Sequence, residues 1–364
     1  MSLRKFLLWL HLVVGLIAAV FLAILGFTGA AMVYEVPLDH ALNAKLYHVA
    51  PQGHPLGLNE LVAAVEKASA PGRVTALFFA SEEDIATRAT LRNPDGKSHT
   101  VTANPYTGEI IGSLGTANRF FPKVHQFHTN LLLGKPGKII TGWGALLLVV
   151  LSLTGIILWW PRKIWKISEW KPGRRANFDL HNALGFWSSI FMFLFGVTGL
   201  VVHFDEETAQ WIGRLTHTPA TMPIPQPKPS PNAKPASADQ LYQAAMQAAP
   251  GAQVIGMLGL GSTHGAVRVM MHFPEDNTPG GRTGVFLDPT SAEVLLAQTS
   301  RDAPPGYRLA KFWNRQLHTG DILGWPSRII ACLMSLSLPL LALTGPLIWW
   351  GKFKRRRETP SSAV

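Results

Sequence analysis

Apolar residues in this chain gather into four long runs, roughly 5–33, 138–160, 182–204 and 328–350, each flanked by polar stretches. Each run holds about 20 mostly apolar residues, enough at ~1.5 Å per residue to cross the hydrocarbon core of a bilayer. Between the first and second runs, and again between the third and fourth, lie long regions with a different pattern. Residues 58–70 have the apolar spacing of an amphipathic helix, with Asn59 as a candidate N-cap. Residues 74–79, 86–91 and a short stretch near Val101 read as strands, with a turn at Asn93-Pro94-Asp95-Gly96. The later region opens on a proline-dense linker, 218–236, predicted to be extended. It then repeats a helix over 238–249 and strands over 254–258, 267–273 and 284–287. Amphipathic segments at 119–133 and 307–323, each followed by a Gly-x-Pro break, are predicted to be short interfacial helices.

The resemblance between the two halves extends to individual residues. At an offset of 170, His11 falls on His181, Gly15 on Gly185, Gly26 on Gly196 and Thr28-Gly29 on Thr198-Gly199. At an offset of 190, His128-Thr129 falls on His318-Thr319, Thr154-Gly155 on Thr344-Gly345 and Trp159-Trp160 on Trp349-Trp350. The chain reads as an internal duplication of helix, small α+β domain, helix. The fold class is an α-helical membrane protein: a four-helix transmembrane domain with two periplasmic α+β domains. The predicted parts are helix 1–34, domain 35–118, interfacial segment 119–137, helix 138–160, basic loop 161–180 and helix 181–204. Linker 205–236, domain 237–306, interfacial segment 307–327, helix 328–350 and tail 351–364 complete the chain.

Charge orients this plan. The net charge of +11 is concentrated at helix ends: Arg4 and Lys5, then Arg162, Lys163, Lys166, Lys171, Arg174 and Arg175, then Lys352, Lys354, Arg355, Arg356 and Arg357. The positive-inside rule places both termini and the middle loop in the cytoplasm of a multi-pass inner-membrane protein, with the large regions outside. Basic residues beside membrane ends, rather than on one face, argue against a nucleic-acid partner. The first run resembles a signal peptide, but its length and its internal twin favour a retained helix. The single cysteine, Cys332, excludes an intrachain disulfide. The tryptophan pairs at the basic ends read as interfacial anchors.

Ionisable groups at membrane depth are costly and mark function. Four histidines recur at matched positions: His11 with His181 toward the basic end, His128 with His318 toward the other. Two neutral imidazoles facing each other across a helical bundle are the arrangement that ligates a b-type haem, so the chain is predicted to hold two. The glycines admit two readings, close approach of a flat macrocycle or close helix packing. His203 and His125 break the symmetry. His203 lies about 33 Å along the helix from His181, too far to share a haem with it, and is the second choice for an outer ligand. His264, Met270, Met271 and His272 read as strand and packing residues rather than a soft-metal site. No dinucleotide fingerprint, Walker loop, nucleophile elbow or His-Glu-x-x-His motif occurs.

These motifs resemble the PepSY-associated transmembrane helix family. The residues that carry the resemblance are Leu10-His11 through Gly15, Gly26-Phe27-Thr28-Gly29 and their repeats, the His-Thr and Thr-Gly pairs, and Leu158-Trp159-Trp160. The stretches 104–111 and 288–295 look like the last hairpin of PepSY domains, the second departing with Thr290-Ser291-Ala292 where Thr-Gly is usual. The resemblance implies a haem-containing inner-membrane oxidoreductase, similar to ferric-siderophore reductases. It would pass electrons from an unidentified cytoplasmic or membrane donor to a periplasmic ferric-siderophore and release Fe(II). Phe21, Phe27, Phe191, Phe193 and Phe195 would pack around that path. Two other readings stand beside it: a haem-free membrane-anchored PepSY regulator of peptidases, and an electron-transfer subunit with another acceptor.

Overall fold

The computed structural model describes residues 1–115, 119–227, 233–278 and 280–358, with side chains through 354. Residues 228–232 of the predicted linker, the side chains of Arg355, Arg356 and Arg357, and the tail beyond 358 lie outside the described residues. The helices are α1 (Leu3–Met32), α2 (Glu35–Leu42), α3 (Ala44–Tyr47), α4 (Leu58–Ala68), α5 (Phe120–Asn130), α6 (Lys135–Trp159), α7 (Arg174–His203), α8 (Asp205–Thr216), α9 (Ala238–Ala248), α10 (Pro305–Tyr307), α11 (Asn314–Thr319) and α12 (Trp325–Glu358). The strands are β1 (Arg73–Phe78), β2 (Thr87–Arg92), β3 (Ser98–Ala103), β4 (Ile110–Ser113), β5 (Gln253–Leu258), β6 (Val267–His272), β7 (Thr283–Leu287) and β8 (Val294–Gln298). They form two compact units, one built on residues 1–35, 121–212 and 313 onward, the other on 36–120 and 213–312.

In the helical unit, α1, α6, α7 and α12 are long and apolar enough to cross a membrane. Around the ring α1 packs on α6 and α12, and α7 packs on α6 and α12, which sets α1 diagonally opposite α7. Ile17, Val20, Phe27, Ile190 and Leu343 are exposed on the outside of the bundle, where a water-soluble helix would be polar. Two glycines permit close helix contacts. A Cβ on Gly26 would meet the Ser335 carbonyl at 2.7 Å and Pro339 at 2.8 Å, and one on Gly196 would meet Val149 at 2.7 Å. Helix packing is therefore the reason for these two.

The breaks before α6 and α12 are alike. Gly134 (φ 64°) and Gly324 (φ 65°) both take left-handed backbone, and a proline stands at the second residue of each following helix. The short helices α5 and α11 end just before these breaks. The helix predicted over 328–350 starts at Trp325 and runs to Glu358, through Pro339 and Pro346.

The other unit differs from the expectation of two separate domains. Its strands form one antiparallel sheet in the order β4-β3-β2-β1-β5-β6-β7-β8. The two four-strand halves join where β1 pairs with β5, Leu77 opposite Met257. One core runs beneath both halves, uniting Leu61, Val65, Leu77 and Leu91 with Leu241, Met257, Val269 and Leu287. The helices α4 and α9 exchange caps across the join. The Asp239 carboxylate accepts from Leu58 N at 3.1 Å, and Asn59 Oδ1 accepts from Asp239 N at 3.4 Å. Asn59, predicted as the N-cap of α4, is its second helical residue and accepts from the first turn of α9, whose own N-cap is Ser237; Gly57 is the N-cap of α4. Met271 is fully buried in this core, as its place on a strand predicts.

Candidate functional site

Four imidazoles of the helical unit meet in two pairs. His11 on α1 faces His181 on α7 with ring centres 6.5 Å apart, and His128 on α5 faces His318 on α11 at 6.4 Å. The pairs sit near opposite ends of the bundle. On α1, His11 is roughly 25 Å from Thr28, which touches His128.

Each imidazole is held by a threonine of a different helix. His11 Nδ1 lies 2.8 Å from Thr154 Oγ1, and His181 Nδ1 lies 2.8 Å from Thr344 Oγ1. His128 Nδ1 lies 2.8 Å from Thr28 Oγ1, and His318 Nδ1 lies 2.9 Å from Thr198 Oγ1. Every one of these hydroxyls donates its hydrogen to the carbonyl four residues earlier: Thr28 to Ile24 (2.8 Å), Thr154 to Val150 (2.7 Å), Thr198 to Leu194 (2.6 Å), Thr344 to Leu340 (2.8 Å). With that hydrogen committed, the threonine oxygen can only accept. The imidazole must then carry its proton on Nδ1, which leaves the Nε2 lone pair as the free base.

The glycine after Thr28, Thr154 and Thr344 makes room for the ring, while a Cβ on Gly199 would stand at an ordinary 3.6 Å from His318 Cε1. Cβ atoms on Gly155 and Gly345 would come within 3.4 Å of His11 Cε1 and His181 Cε1, and one on Gly29 within 3.2 Å of His128 Cε1. The Thr-Gly pair is thus a seat for an imidazole, an acceptor beside a missing side chain. Gly15 and Gly185 serve differently: they line the cavity between His11 and His181 and leave ordinary contact distances for a Cβ.

The geometry suits one metal between each pair. Two imidazole–metal bonds of about 2.0–2.1 Å, with about 1.1 Å from each nitrogen to its ring centre, place the ring centres about 6.3 Å apart. The observed separations match that span. A cavity of about 520 Å³ surrounds His11 and His181, lined mainly by Leu, Ala, Gly and aromatic residues. Such a volume falls in the range of ligand pockets for flat organic groups. Among the described residues no group of three His, Cys, Asp or Glu side chains converges as a metal cluster. The facing imidazoles, with the apolar cavity around His11 and His181, are a lining that would fit a b-type haem.

At the outer pair, burial and then the adjacent His318, His125 and His203 imidazoles push His128 down to about 3. Burial, then His203 and Arg315, push His318 to about 4. Both rings are therefore neutral near pH 7, the form that ligates metal.

The structure pairs His128 with His318 and leaves His203 and His125 outside that pair but near enough to bear on it. His203 ends α7, its Nδ1 buried without a hydrogen-bond partner, and His125 Nδ1 approaches Glu35 Oε2 at 3.5 Å. His264 and His272 belong to the sheet unit, His272 bonded to the Asp276 carbonyl at 2.6 Å. The tryptophan pairs divide their duties, against the expectation of anchoring alone. Trp160 and Trp350 are exposed, whereas Trp159 and Trp349 line the cavity with His11 and His181. Between the two histidine levels Ala18, Leu22, Leu148, Met192 and Leu338 form a buried apolar plug with Phe21 and Phe195 packed on it. Phe27, named with them from the sequence, is exposed. The four threonines were not identified as site residues from the sequence. Their signal was present in the Thr-Gly recurrence, but only the fold shows which histidine each one meets.

The family model described as "PepSY-associated TM region" matches residues 8–352. An uncharacterized protein of Pseudomonas aeruginosa is 26% identical over 277 residues, which cover 66% of this chain. The match spans 64% of that relative's own length.

Proposed function

The chain belongs to the PepSY-associated transmembrane family, a multi-pass membrane protein with an α+β region, and from this premise we propose that it is a two-haem b-type membrane oxidoreductase. In this reading it is an inner-membrane ferric-siderophore reductase, built by duplication, with both termini cytoplasmic and the sheet unit periplasmic. It takes electrons from a cytoplasmic or membrane donor and releases Fe(II) from a periplasmic ferric-siderophore, the substrate. Bound haem supplies a one-electron Fe(III)/Fe(II) couple at each level. Hard oxygen chelators hold Fe(II) less well than Fe(III), so reduction suffices for release.

The observation that carries the reading is the pairing of His11 with His181 and His128 with His318 at 6.5 and 6.4 Å. The chain's own residues then have defined parts. The four imidazoles are the ligands, and Thr154, Thr344, Thr28 and Thr198 hold each one in the ligating tautomer. The apolar plug around Leu22, Leu148 and Met192 excludes water between the levels. A haem-free peptidase regulator would have no use for four imidazoles seated in this way.

The test is an optical spectrum of the detergent-purified full-length protein, oxidised and then reduced, with a pyridine haemochrome count. About two b-type haems per chain are expected, falling to about one in His11→Ala or His318→Ala. Reoxidation of the reduced protein by ferric-siderophores then tests the acceptor, and a reduced protein indifferent to them points to another one. Protein without haem, from cells supplied with it, would overturn the proposal and favour the regulator.

A further inference from the structure

The cavity holding His11 and His181 is lined mainly by apolar residues and carries its charged side chains at one end. Arg4, Arg162 and Lys352 line it there, and no acidic side chain does so. They come from three segments: the first turn of α1, the turn after α6 and the last turns of α12. Among the described residues none of the three is engaged in an ion pair, although Arg162 lies over the Phe178 ring at 5.2 Å.

Their spacing relative to the imidazole seats is regular. Arg4 stands seven residues before His11, Arg162 seven after Gly155 and Lys352 seven after Gly345. Two helical turns return a side chain to nearly the same face, so within α1 and α12 this spacing sets the charge about 10 Å beyond the imidazole level. All three therefore lie toward the same end of one cavity.

The positive-inside rule accounts for basic residues near these helix ends but not for their placement on the cavity wall. Lys163, Lys166, Lys171, Arg174 and Arg175 carry the same topological signal and do not line it. Arg174, the counterpart of Arg4 in the second half, lies against Gly351, and Arg175 pairs with Asp179 at 3.1 Å. Three cations without carboxylate partners, at the rim of an apolar slot, are suited to a flat apolar ligand that is anionic along one edge.

We propose that Arg4, Arg162 and Lys352 bind the two carboxylate tails of the porphyrin seated between His11 and His181, fixing its orientation with the tails at the basic end. This rests on the haem reading above. Arginine pairs bidentately with a carboxylate and lysine acts as a point charge, so Arg162→Lys is expected to restore only part of the binding lost in Arg162→Gln.

The test uses the full chain carrying His128→Ala and His318→Ala, stripped of haem, so that only the inner site is read. It is titrated with haemin and with haemin dimethyl ester, whose carboxylates are blocked, following the Soret band. Haemin is expected to bind at least tenfold more tightly than the ester. The combined Arg4→Gln, Arg162→Gln and Lys352→Gln variant is expected to abolish that preference and to lower the midpoint potential of the bound haem. Equal binding of haemin and ester by the unsubstituted rim would overturn the inference while leaving haem binding intact. So would a preference that persists in the triple variant. A chain that binds neither compound overturns the haem reading itself, and the inference with it.

Discussion

Thr154 Oγ1 lies 2.8 Å from His11 Nδ1 while giving its own hydrogen to the Val150 carbonyl, so a single hydroxyl on α6 sets the tautomer of an imidazole on α1. The same relation recurs at Thr28, Thr198 and Thr344. Ligand-orienting hydrogen bonds of this kind commonly carry a 10–100-fold share of metal affinity. Thr154→Val keeps the shape and removes the acceptor. It is expected to weaken haem binding at the inner site by about tenfold or more, whereas Thr154→Ser retains it. Without haem, the unpaired Nδ1–H costs about 1–3 kcal/mol of stability, which thermal unfolding in detergent would register. A Thr154→Val protein equal to the parent in both respects would show the contact to be incidental.

Acidification provides a second check. The folded-state values of His128 and His318, about 3 and about 4, lie below the ordinary 6.5 of a solvated imidazole. Between those values and 6.5 the unfolded chain binds protons that the folded chain refuses, so stability rises with pH in that window. The contribution is complete above about pH 6.5 and is lost as pH falls toward 4. Thermal unfolding temperatures measured from pH 7 to pH 4.5 should fall, and His128→Gln should flatten the slope.

Two glycines on one helix are expected to respond differently. Gly26→Ala drives a methyl into the Ser335 carbonyl and Pro339, an overpacking expected to cost about 1–3 kcal/mol. Gly15→Ala meets nothing closer than Leu151 at 3.7 Å and is expected to leave folding unchanged. Size-exclusion profiles and melting curves of the two variants would separate them.

Ala292 stands at φ 58° in the hairpin before β8, in the left-handed region that glycine takes at the matching Gly108 (φ 74°). The first hairpin cannot use alanine, because a Cβ on Gly108 would collide with Ala64. Ala292→Gly relieves the strain and is expected to stabilise the sheet unit by about 1 kcal/mol. An unchanged or lowered melting temperature would contradict this.

The cap exchanged between α4 and α9 is expected to bind the two halves of the sheet unit together. Asp239→Ala removes the acceptor at Leu58 N and should cost about 1 kcal/mol. Combined with Asn59→Ala it should cost less than the sum of the two single changes, because the two contacts form one structure. Strict additivity in denaturant melts would mean the caps act separately.

Much of the plan was legible in the chain itself. Four apolar runs of bilayer length need no partner to be recognised, because hydrogen bonding within a helix and burial in lipid are local requirements. Recurrence at fixed offsets singled out His11, His181, His128 and His318 for the same reason: spacing along a helix is set by the backbone. What spacing does not contain is the neighbour across a gap. Only the packing of α1 diagonally opposite α7 brings His11 to His181, places Thr154 and Thr344 beneath them and turns Trp159 and Trp349 inward while Trp160 and Trp350 face out. The sheet makes the same point. Each half displayed its first three strands locally, but the pairing of β1 with β5, which merges two predicted domains into one core, joins residues about 180 apart and depends on the edges that each half leaves open. Local periodicity determined the elements, and nonlocal packing decided which side chains share a site.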